Sequence, residues 1–193
     1  MIEQLIQLDH QWFLAVNKGL SNPFFDYLMP ILRNRYTWIP LYVLIIYLLI
    51  KNFGKTAWFM LLALVLCFGI ADYTSSSIIK PAVERLRPCN EIPFSDQLTL
   101  RIPCGRGYSF PSSHAANHFA IALFLIVLFR KNRAWLMPLA LLWAASISFA
   151  QVYVGVHFPV DVTAGALLGS SIGYLIAFLF LRLKPEHTWK SGK

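Results

Sequence analysis

Apolar residues are gathered into long runs along this chain instead of being scattered over amphipathic faces. Four runs, about 57–79, 114–129, 134–154 and 159–182, each come close to the roughly 20 helical residues that a bilayer requires. A fifth, Ile39 to Ile50, is shorter, and Tyr36, Thr37 and Trp38 extend it into the interface, where aromatic residues are favoured. Residues 2–20 carry Ile2, Leu5, Ile6, Phe13, Val16 and Leu20 near helical spacing, with Glu3, Asp9 and Lys18 between them, which suits an interfacial amphipathic helix. Residues 23–32 are apolar but interrupted by Asp26 and Pro30. The pattern predicts an all-α, integral-membrane bundle of five or six transmembrane helices. One domain, 1–193, is expected, with no internal repeat and with 1–35 as an N-terminal amphipathic or interfacial segment.

Composition agrees, with 57% hydrophobic and 13% charged residues, against about half and a quarter in soluble proteins. The net charge of +8 would also suit nucleic acid. Position decides otherwise. Lys51 and Lys55, Arg130, Lys131 and Arg133, and Arg182, Lys184, Lys190 and Lys193 all follow apolar runs, which is the positive-inside pattern. The expected partner is therefore the lipid bilayer and not nucleic acid. The first residues, MIEQLIQLDHQWF, lack a basic n-region and a small-residue cleavage site, so no cleaved signal peptide is expected.

With those basic loops in the cytoplasm, the loop 80–113 and the turn 155–158 lie on the opposite face, the periplasmic or extracellular side of an inner (plasma) membrane. That loop carries Lys80, Arg85, Arg87, Arg101 and Arg106. Translocated cations oppose the topology rule and need another reason, and binding an anion is one. Cys67 reads as an apolar filler inside a span. Cys89 and Cys104 fall in the outward loop, either as a disulfide closing it or as two free thiols.

Three clusters reach that face. In Lys80-Pro-Ala-Val-Glu-Arg-Leu-Arg87-Pro88, two prolines stop a regular helix and leave cations projecting, though snorkelling at the headgroups would look the same. Pro111-Ser112-Ser113-His114 opens a span, where a serine N-cap, free N–H groups and the helix dipole favour an anion. Asn117 and His118 share the face of His114 and suit interhelical hydrogen bonding. In the third cluster, Pro159 begins the last span with His157 at its entrance and Asp161 a turn in. That carboxylate can take the Nδ1 proton and leave Nε2 free to act as a base or nucleophile. Together these groups form the equipment for phosphoryl transfer through a phosphohistidine. Glu84, Glu91 and Asp96 are scattered, so no metal site and no cofactor is expected.

Lys80 with Arg87-Pro88 after six intervening residues, Pro111-Ser112-Ser113-His114, and His157 with Asp161 resemble the three signature motifs of the type 2 phosphatidic acid phosphatases. These are integral-membrane lipid phosphatases, and the resemblance covers roughly residues 57–182. It implies a helical bundle and metal-independent hydrolysis of a lipid phosphate or diphosphate at the outer face. By position, Lys80, Arg87, Ser112 and the Ser113 N–H would hold the phosphate. His157 would be the nucleophile, Asp161 its orienting partner and His114 the acid for the leaving group. The small size and the N-terminal amphipathic stretch are similar to those of the compact bacterial undecaprenyl-diphosphate phosphatases, which makes undecaprenyl diphosphate the favoured substrate, with phosphatidate, phosphatidylglycerol phosphate and lipid A phosphate left open.

Two positions depart from the motifs. Ser113 stands where glycine is usual, and Ala150-Gln151 stands where the third motif opens with Ser-Arg. Gln151 offers hydrogen bonds without charge. Losing a charge-assisted bond there would cost about 1.5–3 kcal/mol. Arg106, five residues before Pro111, is expected to replace that charge, with Arg101 and Arg85 as alternatives. A phosphotransferase and a catalytically weakened lipid-phosphate binding or transport protein are the other readings.

Overall fold

The computed structural model describes residues 2–129 and 133–183. Arg130, Lys131, Lys184, Lys190 and Lys193 of the topology argument lie outside them. Eight α-helices account for most of the described chain: α1 (Ile2–Leu14), α2 (Pro23–Arg33), α3 (Ile39–Phe53), α4 (Thr56–Tyr73), α5 (Lys80–Val83), α6 (Ser113–Phe129), α7 (Leu136–Tyr153) and α8 (Pro159–Leu183). By length and composition, Arg35–Phe53, Thr56–Asn90, Leu136–Tyr153 and Pro159–Leu183 are able to cross a membrane, and α6 is a shorter apolar helix. The bundle is a multi-pass membrane fold.

Local chemistry sets the helix ends. The Asn22 side chain accepts from Phe25 N at 2.9 Å and Pro23 occupies the first turn of α2. The run expected at 57–79 is one continuous rod, but it widens to a π-helical turn over Thr74–Ile79 before α5. Within that turn the Ser75 and Ser76 hydroxyls donate back to Asp72 O, at 3.1 and 2.6 Å, a competition with the helix ladder that serines favour. Helix α5 then stops at Glu84, whose φ of 54° is left-handed.

Helix α6 lies at the centre, packed on α4, α7 and α8. Against α8 the approach is so close that side chains are excluded: Gly165, Gly169 and Gly173 face Ser112, Ala116 and Ala120. A Cβ on Gly169 would stand 2.0 Å from Ala116 O. Small residues four apart let helices in lipid gain dispersion contact where no hydrophobic driving force separates them from solvent. The ridge also sets the N-termini of α6 and α8 side by side.

The N-terminal segment differs from a simple interfacial helix in what it buries. Phe13, Asn17 and Met29 turn inward, and Asp9, read as part of the polar side, is only 5% exposed. Its reason is a cation in the loop, described below. Asn17 ties the segment down, donating to Thr99 O (2.9 Å) and Tyr153 O (2.8 Å) and accepting from Thr99 N (2.8 Å).

Candidate active site

The N-termini of α6 and α8 are joined by Ser112 N, which donates to Asp161 O at 2.9 Å. Asp161 is fully buried and all its bonds serve geometry. Its Oδ2 accepts from Phe158 N at 2.8 Å, closing the turn that carries His157, and its Oδ1 accepts from Arg85 Nη1 at 2.8 Å. His157 Nδ1 faces Oδ2 at 3.5 Å, an ion-pair distance and longer than a good hydrogen bond. The other ring nitrogen, Nε2, lies 3.4 Å from Arg87 Nη1. Burial pushes His157 down to about 4, and Arg87 and Lys80 push the same way against the opposing bond and charge of Asp161. The ring is thus neutral near pH 7, the form with a free lone pair.

Lys80, Arg87, Arg106, Ser113, His114 and His157 line a cavity of about 390 Å³. Lys80 is aimed by Tyr108 O at 2.8 Å, and Arg87 by Val156 O at 3.2 Å. Ser113 Oγ accepts from Ser75 Oγ at 2.9 Å, so the π-helical turn of α4 supports the start of α6. Three other residues expected at the site, Ser112, Gln151 and Asp161, are fully buried and do not line this cavity. The loop leans on the site through Gly105, where a Cβ would meet Arg87 Cζ at 3.5 Å, and Cys89 and Cys104 are disulfide-bonded beside it.

Beyond the motifs, Arg85 bridges two carboxylates. Its Nη2 donates to Asp9 Oδ2 at 2.6 Å while Nη1 holds Asp161, and its guanidinium stacks 4.1 Å above the Phe158 ring. Asp9 Oδ1 also accepts from Val160 N at 3.0 Å, which anchors α1 to the first turn of α8. Arg85 is therefore committed to geometry, as is Arg101, which pairs with Asp26, donates to Ser21 and stacks on Tyr153. The Tyr153 hydroxyl, then Arg101, hold the Asp26 carboxyl below its usual range. Of the three loop arginines considered for the charge missing at position 151, Arg106 lines the cavity.

The polar residues of α6 bond across helices as their spacing suggested. Asn117 Nδ2 donates to Asp72 Oδ1 at 2.9 Å, and His118 places Nε2 3.1 Å from the Tyr42 hydroxyl and Nδ1 2.7 Å from His114 O. Sequence reasoning passed over Asp72, Asp9 and Arg33. A lone charged residue in an apolar run was the signal for Asp72, whereas Asp9 and Arg33 stand among other polar residues and carried none.

A second cavity, about 490 Å³, is lined by Tyr36, Ile39, Tyr42, Phe68, Ser113 and His114 among others. His114 and Ser113 belong to both cavities, so the imidazole stands between a cationic chamber and one whose surface is mostly carbon, although Arg35, Asp72, Asn117 and His118 also line it. Among the described residues no three His, Cys, Asp or Glu side chains converge as a metal site would require.

Residues 57–188 match the sequence profile of the PAP2 superfamily. The chain is 41% identical over 186 residues to a lipid A 4'-phosphatase of Bacteroides thetaiotaomicron, spanning 95% of this chain and 81% of that one. It is 35% identical over 140 residues to an undecaprenyl-diphosphatase of Sulfolobus acidocaldarius, spanning 72% and 62%. The crystal structure of a transmembrane PAP2-type phosphatidylglycerolphosphate phosphatase from Bacillus subtilis superposes with a TM-score of 0.70 over 96% of this chain and 88% of that one. At 22% identity that likeness establishes the fold.

Proposed function

Since the chain belongs to the PAP2 superfamily, we propose that it is a membrane lipid phosphatase that cleaves a lipid phosphomonoester, with the 4'-phosphate of lipid A as its first candidate substrate. One observation carries the reading. His157 and His114 enter a single cationic cavity from the N-termini of two helices held together by a glycine ridge, and His114 also borders the mostly carbon-lined chamber. A lipid phosphate is cationic-pocket chemistry at one end and bilayer chemistry at the other.

In the proposed reaction Lys80 and Arg87, helped by the N–H groups at the start of α6, hold the phosphate. The His157 Nε2 lone pair attacks phosphorus, the ester P–O bond breaks, and the departing oxygen takes a proton from His114. Water then attacks the phosphohistidine, giving its proton to His114 as the P–N bond breaks and inorganic phosphate leaves. Asp161, held by Arg85 and Phe158 N, supports the positive charge that develops on His157. No step calls on a metal. The proposed active face is the outer side of the inner membrane: residues of the loop 80–113 line the cavity, and the positive-inside rule assigns that loop to the side away from the basic loops.

Lipid A comes ahead of the undecaprenyl diphosphate expected from the chain's small size because the Bacteroides relative aligns over nearly the whole chain. The undecaprenyl-diphosphatase similarity keeps that diphosphate as the second reading. The test is phosphate release by detergent-purified protein, with EDTA present, from lipid A and from undecaprenyl diphosphate. Release from lipid A that disappears in His157→Ala is expected. Equal release by His157→Ala would defeat the mechanism, and faster release from the diphosphate would exchange the two substrates.

A further inference from the structure

Position 151 holds a neutral glutamine where the resembled motif carries arginine, yet Gln151 is fully buried and its Oε1 accepts a hydrogen bond from Arg33 Nε at 3.4 Å. Arg33 is the last residue of α2, 118 residues away in sequence. The bond uses Nε alone. Among the described residues no carboxylate pairs with Arg33 or Arg87, and Nη1 and Nη2 of Arg33 have no hydrogen-bond partner. Arg87 Nε and Gln151 Nε2 are buried donors without an acceptor. Burial, then the charge of Arg87, push the Arg33 guanidinium below its ordinary value, so the two cations share one low-dielectric region. Uncompensated charges and donors of this kind are costly unless an anion joins them.

We infer that Arg33 supplies the phosphate-binding cation that the third motif otherwise takes from position 151, and that Gln151 is its positioning residue. The assignment rests on the phosphatase reading and names a further ligand of the same site. Pairing and burial separate Arg33 from the other candidates: Arg85 and Arg101 are bound to carboxylates, and Arg106 lines the cavity but is exposed on the loop, where solvent screens its charge, whereas Arg33 stands outside the cavity lining, half-buried against Gln151.

The experiment compares wild type, Arg33→Ala, Arg33→Lys, Gln151→Arg, the double variant Arg33→Ala/Gln151→Arg, and Arg106→Ala. Two quantities are measured on the full-length protein in detergent: kcat and KM for phosphate release from lipid A, and the Kd of inorganic phosphate by calorimetry. Arg33→Ala should weaken phosphate binding and kcat/KM by roughly ten- to a hundredfold, with Arg33→Lys between it and wild type. The double variant should recover most of the loss, because the guanidinium returns from the other side of the same contact. A purely structural Arg33 would not be rescued in that way. An Arg33→Ala protein within twofold of wild type, a double variant as poor as the single, or a loss confined to Arg106→Ala would overturn the assignment. Wild type that binds phosphate without releasing it from lipid would sink the phosphatase reading while the binding series still decides Arg33. Wild type that does neither would sink both.

Discussion

Replacing Gly169 by alanine probes how the helix pair controls the site without touching any residue in the cavity. The new Cβ would lie 2.0 Å from Ala116 O and 2.8 Å from Ala116 C, both backbone atoms in mid-helix that no rotamer change can move. To reach the 3.4 Å of ordinary van der Waals contact, α6 and α8 must separate by about 1.4 Å along that line. Overpacking of this sort costs about 1–3 kcal/mol. The larger effect falls on the chemistry, since α6 carries His114 and α8 follows His157, and about 1 Å of misplacement is worth roughly a hundredfold in rate. The assay is phosphate release from lipid A, with thermal unfolding followed in parallel so that rates are compared where each protein is folded. Gly69→Ala serves as control, because a Cβ there meets nothing within 4 Å. Activity of Gly169→Ala within twofold of Gly69→Ala would refute the idea that this contact sets the distance between the two histidines.

Removing the bridging cation by Arg85→Ala leaves Asp9 and Asp161 buried without it. A loss of about 3–5 kcal/mol in stability is expected by chemical denaturation, and a change below 1 kcal/mol would show that water replaces the guanidinium. The depressed His157 value predicts a ring that stays neutral from pH 7 down to about 4 in ring-labelled nitrogen NMR; titration near 6.5 would contradict a dry site. Because the unfolded ring binds its proton first, His157 withdraws stability as pH falls from about 6.5 to 4. Cys89→Ser/Cys104→Ser opens a loop closed over a separation of 15 residues, a constraint worth about 3 kcal/mol. Its melting temperature and its activity should both drop, since the loop supports Arg87 through Gly105. An unchanged melting point would deny the disulfide any role.

Spans and motif clusters were readable because both depend on local rules. A proline in the first turn, a serine before an apolar run and a cation beside a proline need no knowledge of partners far along the chain. Ser112 and Asp161 were read as site candidates from that pattern and Gln151 from the motif resemblance, but not that all three are buried away from the cavity surface. What escaped was whatever needed a distant partner. Asp9 reads as the wet side of a helix until Arg85, 76 residues on, turns it inward. Arg33 looks like an ordinary end-of-helix cation until Gln151 is placed beside it. The π-helical turn at Thr74–Ile79 was invisible too, because a serine's choice between its own backbone and the ladder is settled by packing against Ser113. The lipid's identity was not written in the motifs, which encode phosphate handling and say nothing of the tail.

Asp9 and Arg33 share a location outside residues 57–188, the segment that matches the superfamily. One balances Arg85 and the other meets Gln151, so the N-terminal helices contribute a negative and a positive charge to a centre whose recognisable motifs are all elsewhere. A chimera that transplanted the matched segment onto an N-terminus without these two residues would keep every signature residue and lose both charges. Arg85 would be left half neutralised and Gln151 facing no cation. The exchangeable unit of this enzyme is therefore the whole chain from α1 onward, and divergence between relatives at position 151 should be looked for together with changes at position 33.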